Sequence, residues 1–177
     1  MTFSDVHPND YFYEAVRVLY GRGIISGYAD NTFRPYYNTT RGQVSKVLVL
    51  ARGWIVSCPS TAHFSDVPVG SPFFCFVETA YDHGVISGYS DGTFRPGNNI
   101  TRGQLSKMIV LAMGWTDPCP STAHFSDVPV GSPFFCYIES VYARAIVTGY
   151  SDGTFRPGNN ATRGQTCKIV YQAMTNP

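Results

Sequence analysis

The stretch Gly-Tyr-Ser-Asp-Gly-Thr-Phe-Arg-Pro-Gly-Asn-Asn-Ile-Thr-Arg-Gly-Gln, residues 88–104, recurs with few changes at 27–43 and at 149–165. Its first half is rich in Gly, Asp and Pro, which bend the chain, so it reads as a loop. Its second half reads as a helix start. Thr101 is followed three residues later by Gln104, as Thr40 is by Gln43 and Thr162 by Gln165. In this pattern the Thr hydroxyl and the Gln side chain satisfy two free amides of the first helical turn. Further out, Phe3-Ser4-Asp5-Val6 returns at 64–67 and 125–128, each time at an offset of 61 residues, and no insertion breaks the register. Three identical spacings imply three copies of one supersecondary unit.

Each copy is predicted to be helix, loop, helix. Ser71-Pro72 and Ser132-Pro133 are start signals for the first helix, with Asp10-Tyr11 in copy one. Ser and Asp cap free amides, and Pro suits the first helical position. Phe73, Phe76, Val77, Ala80 and Tyr81 follow at the spacing of one buried helical face. Gly23 and Gly84 stand where a left-handed C-terminal cap belongs, and Ala145 takes that place in copy three. In the second helix Leu105, Met108, Ile109 and Ala112 form the apolar face, and Gly53 and Gly114 end it. Trp54 and Trp115 come next and are expected to pack back onto their own helix. The Tyr and Phe of the loop are expected to pin it to the helices. One helix pair cannot hide its apolar face alone, so the copies must cover one another. Spacing leaves open whether they stack in a line or close around a pseudo-threefold axis.

Composition narrows the function classes. The chain has 177 residues, of which 44% are hydrophobic and only 14% charged, with a formal net charge of +1. No basic run suggests a nucleic-acid binder. No apolar stretch approaches the roughly 18 residues of a membrane span. No signal peptide precedes Phe3, so a secreted chain would be a mature or excised segment.

The F-S-D-V start, the G-Y-x-D-x-T-F-R-P loop and the T-R-x-x helix start, three times in this order from Phe3 to about Met174, resemble the S-layer homology (SLH) family. The resemblance implies a mainly α fold of three repeats (1–57, 58–118 and 119–177) around a pseudo-threefold axis, with grooves between the arms. It implies a secreted, extracellular module, without a cofactor, that anchors proteins non-covalently to cell-wall polysaccharide, often through a pyruvylated amino sugar. The family motif is usually Thr-Arg-Ala-Glu. Its Arg falls on Arg41, Arg102 and Arg163, the candidate glycan-binding residues. A planar guanidinium grips a carboxylate in two places, and a helix N-terminus favours the same charge. The plainer reading is that each Arg ties the loop to the helix. Here the motif is Thr-Arg-Gly-Gln in all copies, so a neutral Gln keeps the cap and removes a negative charge. Arg34, Arg95 and Arg156 form a second threefold set, expected to bond loop carbonyls.

Cysteines add a second line of inference. Cys58 and Cys75 are 17 apart, as are Cys119 and Cys136, and copy one has neither the linker nor the helical cysteine. Residues that come and go together are expected to be bonded: Cys58–Cys75 and Cys119–Cys136, in an oxidising compartment. A metal reading, with His63 or His124 between each cysteine pair, matches no zinc spacing, so the histidines read as ordinary linker residues. Cys167 is unpaired, so it is either a buried thiol or an intermolecular link. Asn38, Asn99 and Asn160 each open an Asn-x-Thr sequon for N-linked glycan, although that Thr is already needed as a cap. Gly-Tyr-Ser-Asp-Gly at 88–92 and 149–153 fits G-x-S-x-G, but no helix can start at once behind it. The repeated acids sit at turns, so no catalytic pair or calcium loop is assigned. A non-catalytic anchor is the expected function. The alternative is a structural subunit whose repeats self-assemble into a layer or filament, which high Tyr and Phe content favours.

Overall fold

The computed structural model describes residues 3–176. These form α1 (Tyr13–Gly21), α2 (Arg41–Ala51), α3 (Phe74–Asp82), α4 (Arg102–Met113), α5 (Phe135–Ala143) and α6 (Arg163–Thr175), with no strand among the described residues. The second helices α2, α4 and α6 meet one another at the centre. The first helices do not pack mainly on their own partners. Helix α3 lies on α2, α5 on α4, and α1 closes the ring on α6. The copies are therefore arranged around a pseudo-threefold axis, which decides between the line and the ring.

A triangle of backbone hydrogen bonds marks the axis. The Thr39 amide donates to the Ala161 carbonyl, that of Ala161 to Ile100, and that of Ile100 to Thr39, each at 2.9 Å. Around this triangle the apolar faces read from the sequence are hidden. Leu48, Val49, Leu105, Ile109 and Val170 have no exposed surface. Each such side chain stabilises by about 1.5–3 kcal/mol when buried. A lone repeat would leave its share in water.

All three capping boxes form: Gln43, Gln104 and Gln165 donate backbone amides to the Thr hydroxyls at 3.4, 3.3 and 3.3 Å. The first helices start differently from the sequence expectation. Their N-caps are Phe12, Phe73 and Phe134, with no side-chain cap. The amides of Phe74 and Phe135 instead reach the Ser71 and Ser132 carbonyls at 3.0 Å, and the Ser71 hydroxyl finds no partner. Asp10 accepts from the amide of His7 at 2.7 Å, outside the helix. The turn before each helix supplies backbone acceptors, so the side-chain cap is redundant.

Cys58–Cys75 and Cys119–Cys136 are bonded, which ties each linker to the helix that follows. Closing loops of this size stabilises by about 3 kcal/mol. The sulfurs are thereby removed as metal ligands. Two residues absent from the sequence reading share the task. Buried Glu78 and Glu139 accept the amides of His63 and His124 at 2.9 Å. In copy one Glu14 takes the helical place of the cysteine, and Arg17, which corresponds to Glu78, pairs with it at 2.6 Å. His63 and His124 are not idle linker residues: their rings lie 3.6 Å from those of Tyr81 and Tyr142. The tryptophans also differ from expectation. Trp54 stacks on His83 at 3.8 Å and Trp115 lies under the Arg144 guanidinium at 4.3 Å. Both thus clamp the end of the next repeat's first helix.

Ala145 adopts φ +56°, the same left-handed turn as Gly23 (φ +70°) and Gly84 (φ +69°). Its Cβ pays for that conformation at about 1–2 kcal/mol. Ala145→Gly should therefore raise stability by about 1 kcal/mol, seen as a higher urea midpoint with unchanged m value. An unchanged or lower midpoint would contradict strain at this cap.

Candidate functional site

The loops are fastened from within their own repeat. Both carboxylate oxygens of Asp5 accept the amides of Phe33 and Arg34 at 2.7 Å, and Asp66 and Asp127 do the same for Phe94–Arg95 and Phe155–Arg156. This grip holds Arg34, Arg95 and Arg156 at φ 58°, 60° and 60°, a conformation rare for side-chain-bearing residues. Their side chains do not reach loop carbonyls, as the sequence suggested. Each guanidinium donates to an aspartate of its own loop, Asp30, Asp91 or Asp152, at 3.0, 2.7 and 2.8 Å. Each also lies about 4 Å from a tyrosine ring: Tyr28 at 3.9, Tyr89 at 4.1 and Tyr150 at 4.0 Å. Thr hydroxyls and these arginines hold the three carboxyls down at about 2. The loop aspartates are thus charged throughout the neutral range.

Phe33, Phe94 and Phe155 pin the loops to the core and are at most 1% exposed. Their carbonyls receive the candidate arginines from another repeat. Arg41 Nε donates to Phe94 O at 2.9 Å, Arg102 to Phe155 O at 2.8 Å, and Arg163 to Phe33 O at 2.8 Å. Arg163 adds Nη2 to Ser26 O at 3.0 Å. Arg41 and Arg102 are only 8% and 7% exposed, and burial lowers both from the ordinary arginine value. The helix-start amides are spent as well. Arg41 N reaches Asn98 O and Gly42 N reaches Pro96 O, with equivalents at Arg102, Gly103, Arg163 and Gly164. A ligand therefore finds no free amide cradle at these helix starts. It finds the arginines, which in Arg41 and Arg102 are hydrogen-bonded through Nε alone among the described residues.

Three equivalent grooves, about 160 to 210 Å³ each, run between repeats beside these arginines. One is lined by Arg41, Tyr89, Gln104, Lys107 and Phe134. The next holds Arg102, Tyr150, Gln165, Lys168 and Tyr11, and the third Arg163, Gln43, Lys46 and Phe73. No carboxylate lines any of the three. Lys46, Lys107 and Lys168 were missed in the sequence, although each follows its Gln by three residues in every copy. The neutral Gln stands where an acidic residue would cancel part of this charge. Each groove thus presents two cations and an aromatic wall, suited to an anion on a ring-shaped ligand.

The glycine of Thr-Arg-Gly-Gln also has a structural cause. A Cβ on Gly42, Gly103 or Gly164 would stand 2.7, 2.6 or 2.7 Å from the ring of Phe73, Phe134 or Phe12. Phe12 is 1% exposed, whereas Phe73 and Phe134 are half-buried. An exposed helical Gly→Ala stabilises by up to about 1 kcal/mol. Gly164→Ala should instead destabilise by about 1–3 kcal/mol, and by more than Gly42→Ala, because Phe12 has nowhere to move. Equal or increased stability in denaturant melts would refute the close fit.

The remaining candidates are dispersed. Asn38, Asn99 and Asn160 are exposed near the axis, while their sequon threonines serve as helix caps. Cys167 lies in the central bundle at 3% exposure, where Ser45 and Ser106 sit in the other copies. Burial pushes its thiol up to about 12. An intermolecular link would require the bundle to open. The native protein should leave this thiol unmodified by an aromatic disulfide reagent at pH 8, and urea should expose one reactive thiol. Rapid native labelling would place Cys167 at the surface instead.

Comparison with known proteins follows the same threefold division. Residues 2–45, 63–106 and 124–167 each match the family model of the S-layer homology domain. An endoglucanase of Bacillus sp. (strain KSM-635) is 27% identical over 95% of the chain, and cell surface glycoprotein 1 of Acetivibrio thermocellus is 26% identical over 86%. The cellulosome-anchoring protein of Acetivibrio thermocellus is 25% identical over 85%. The chain spans only 18%, 7% and 35% of these relatives.

Proposed function

The chain belongs to the S-layer homology domain family, and from that premise we propose that it is a non-catalytic, extracellular module that anchors its parent protein to the cell surface by holding acidic cell-wall glycan. The units are residues 1–57, 58–118 and 119–177. The ligand's acidic group, such as a pyruvyl carboxylate on an amino sugar, enters a groove where the units meet. One observation carries this reading: three equivalent grooves, each with an Arg and a Lys and none with a carboxylate. The lysines hold the ligand at the rim, while Arg41, Arg102 and Arg163 act as part of the groove wall. Cationic clefts of this kind concentrate anions, and their grip weakens with salt. Cell surface glycoprotein and cellulosome-anchoring relatives support the cell-surface setting.

The rival is self-assembly of the repeats into a layer or filament. Exposed Tyr36, Tyr37, Ile55, Val69 and Val130 favour it, while buried Cys167 gives it no support. The lysines separate the two readings better than the arginines, because the arginines also hold neighbouring loops. Lys46→Ala/Lys107→Ala/Lys168→Ala should weaken binding to purified wall glycan at least tenfold in pull-downs, with an unchanged melting temperature. Arg102→Ala should lower both. Wild-type binding by the lysine variant, or equal binding to glycan stripped of its acidic groups, would defeat the proposal.

A further inference from the structure

Copy one breaks the threefold pattern at one surface. Tyr36-Tyr37 replaces the Gly97-Asn98 and Gly158-Asn159 of its sisters, and Tyr11 replaces Pro72 and Pro133. These three rings are 69%, 59% and 54% exposed in the order Tyr36, Tyr37, Tyr11. Tyr36 and Tyr11 both pack edge-on against Phe12, at 5.8 and 4.9 Å between ring centres. Tyr36 and Tyr37 also wall an open concavity of about 440 Å³ whose polar groups are Asp5, Asp30, Thr32 and Arg34. That volume falls within the usual range of small-ligand sites. Tyr11 in turn lines the groove of Arg102 and Lys168, with Lys168 Nζ 5.4 Å from its ring.

We propose that Tyr36, Tyr37 and Tyr11 form a stacking platform for neutral pyranose rings of the polymer whose acidic group occupies the adjacent groove. The inference rests on the reading of the grooves as glycan sites. Exposed aromatic surface of this extent marks a contact site, and tyrosine offers both a flat apolar face and a hydroxyl. A sugar ring presents the complement: a face of C–H groups and a rim of hydroxyls. The charged Asp30 carboxylate and the Arg34 guanidinium, held rigid by their ion pair at 3.0 Å, are placed to bond that rim. Continuity of the rings from the concavity into the groove favours a polymer over a compact partner.

Cellohexaose and the N-acetylglucosamine hexamer, both neutral, are the probes. Either at millimolar concentration should shift the ring resonances of Tyr36 and Tyr37. Tyr36→Gly/Tyr37→Asn, which restores the sequence that folds in the sister copies, should weaken that binding at least fivefold. Tyr37→Asn alone, which leaves Phe12 covered, should weaken it at least twofold. Hexamer binding should be insensitive to added salt, whereas the groove's grip on acidic glycan weakens with it, so the platform and the groove can fail separately. No ring shift with either hexamer, or equal affinity in the double variant, would overturn the inference. Concentration-dependent dimerisation abolished by the same double variant, without hexamer binding, would assign the patch to a second copy and overturn it too.

Discussion

Every second helix in this protein begins on hydrogen bonds that its own repeat does not supply. The first amides of α2, α4 and α6 are received by loop carbonyls of the next repeat, and each Thr-Arg arginine reaches a phenylalanine carbonyl there. Unpaired buried amides cost about 1–3 kcal/mol each, so a repeat standing alone would bear that cost at its helix start and again across its bare apolar face. The closed ring removes both at once. Three copies therefore act as one cooperative body, in which damage to one loop is felt by the helix of its neighbour.

The same dependence makes the grooves. Because an arginine of one repeat lies against the loop of the next, and a first-helix aromatic of the third completes the wall, the cleft beside it exists only in the ring. The loop must be rigid for this to work. The aspartate of Phe-Ser-Asp-Val supplies that rigidity by gripping two consecutive amides, and the loop's own Asp–Arg pair fixes the outer edge. The arginines thus have a structural task that does not depend on any ligand. The lysines carry no comparable load, which is why they are the cleaner indicators of recognition.

The threefold symmetry is broken at a few positions. In copy one the helical cysteine and buried glutamate give way to an exposed Glu14–Arg17 pair. Copy three accepts an alanine in a left-handed cap and a cysteine in the bundle, where the others have glycine and serine. The tyrosines of copy one cover Phe12, the only one of the three N-cap phenylalanines to be fully buried.

The sequence by itself determined the repeat, its helix–loop–helix content, the capping boxes and the linker disulfides. Each of these is encoded locally, in spacing and in residues that co-occur within one copy. It also determined the arginine triplet, because a residue type repeated three times in register is visible without a structure. Tertiary structure alone decided that the copies close into a ring, that first helices pack on a preceding repeat, and that helix-start amides are spent on protein. It also decided that the glycine of Thr-Arg-Gly-Gln makes room for a phenylalanine from the next repeat, and that the lysines face the grooves. These are contacts between residues tens of positions apart. Their partners are chosen by which apolar faces can hide one another, and a local pattern carries no record of that choice.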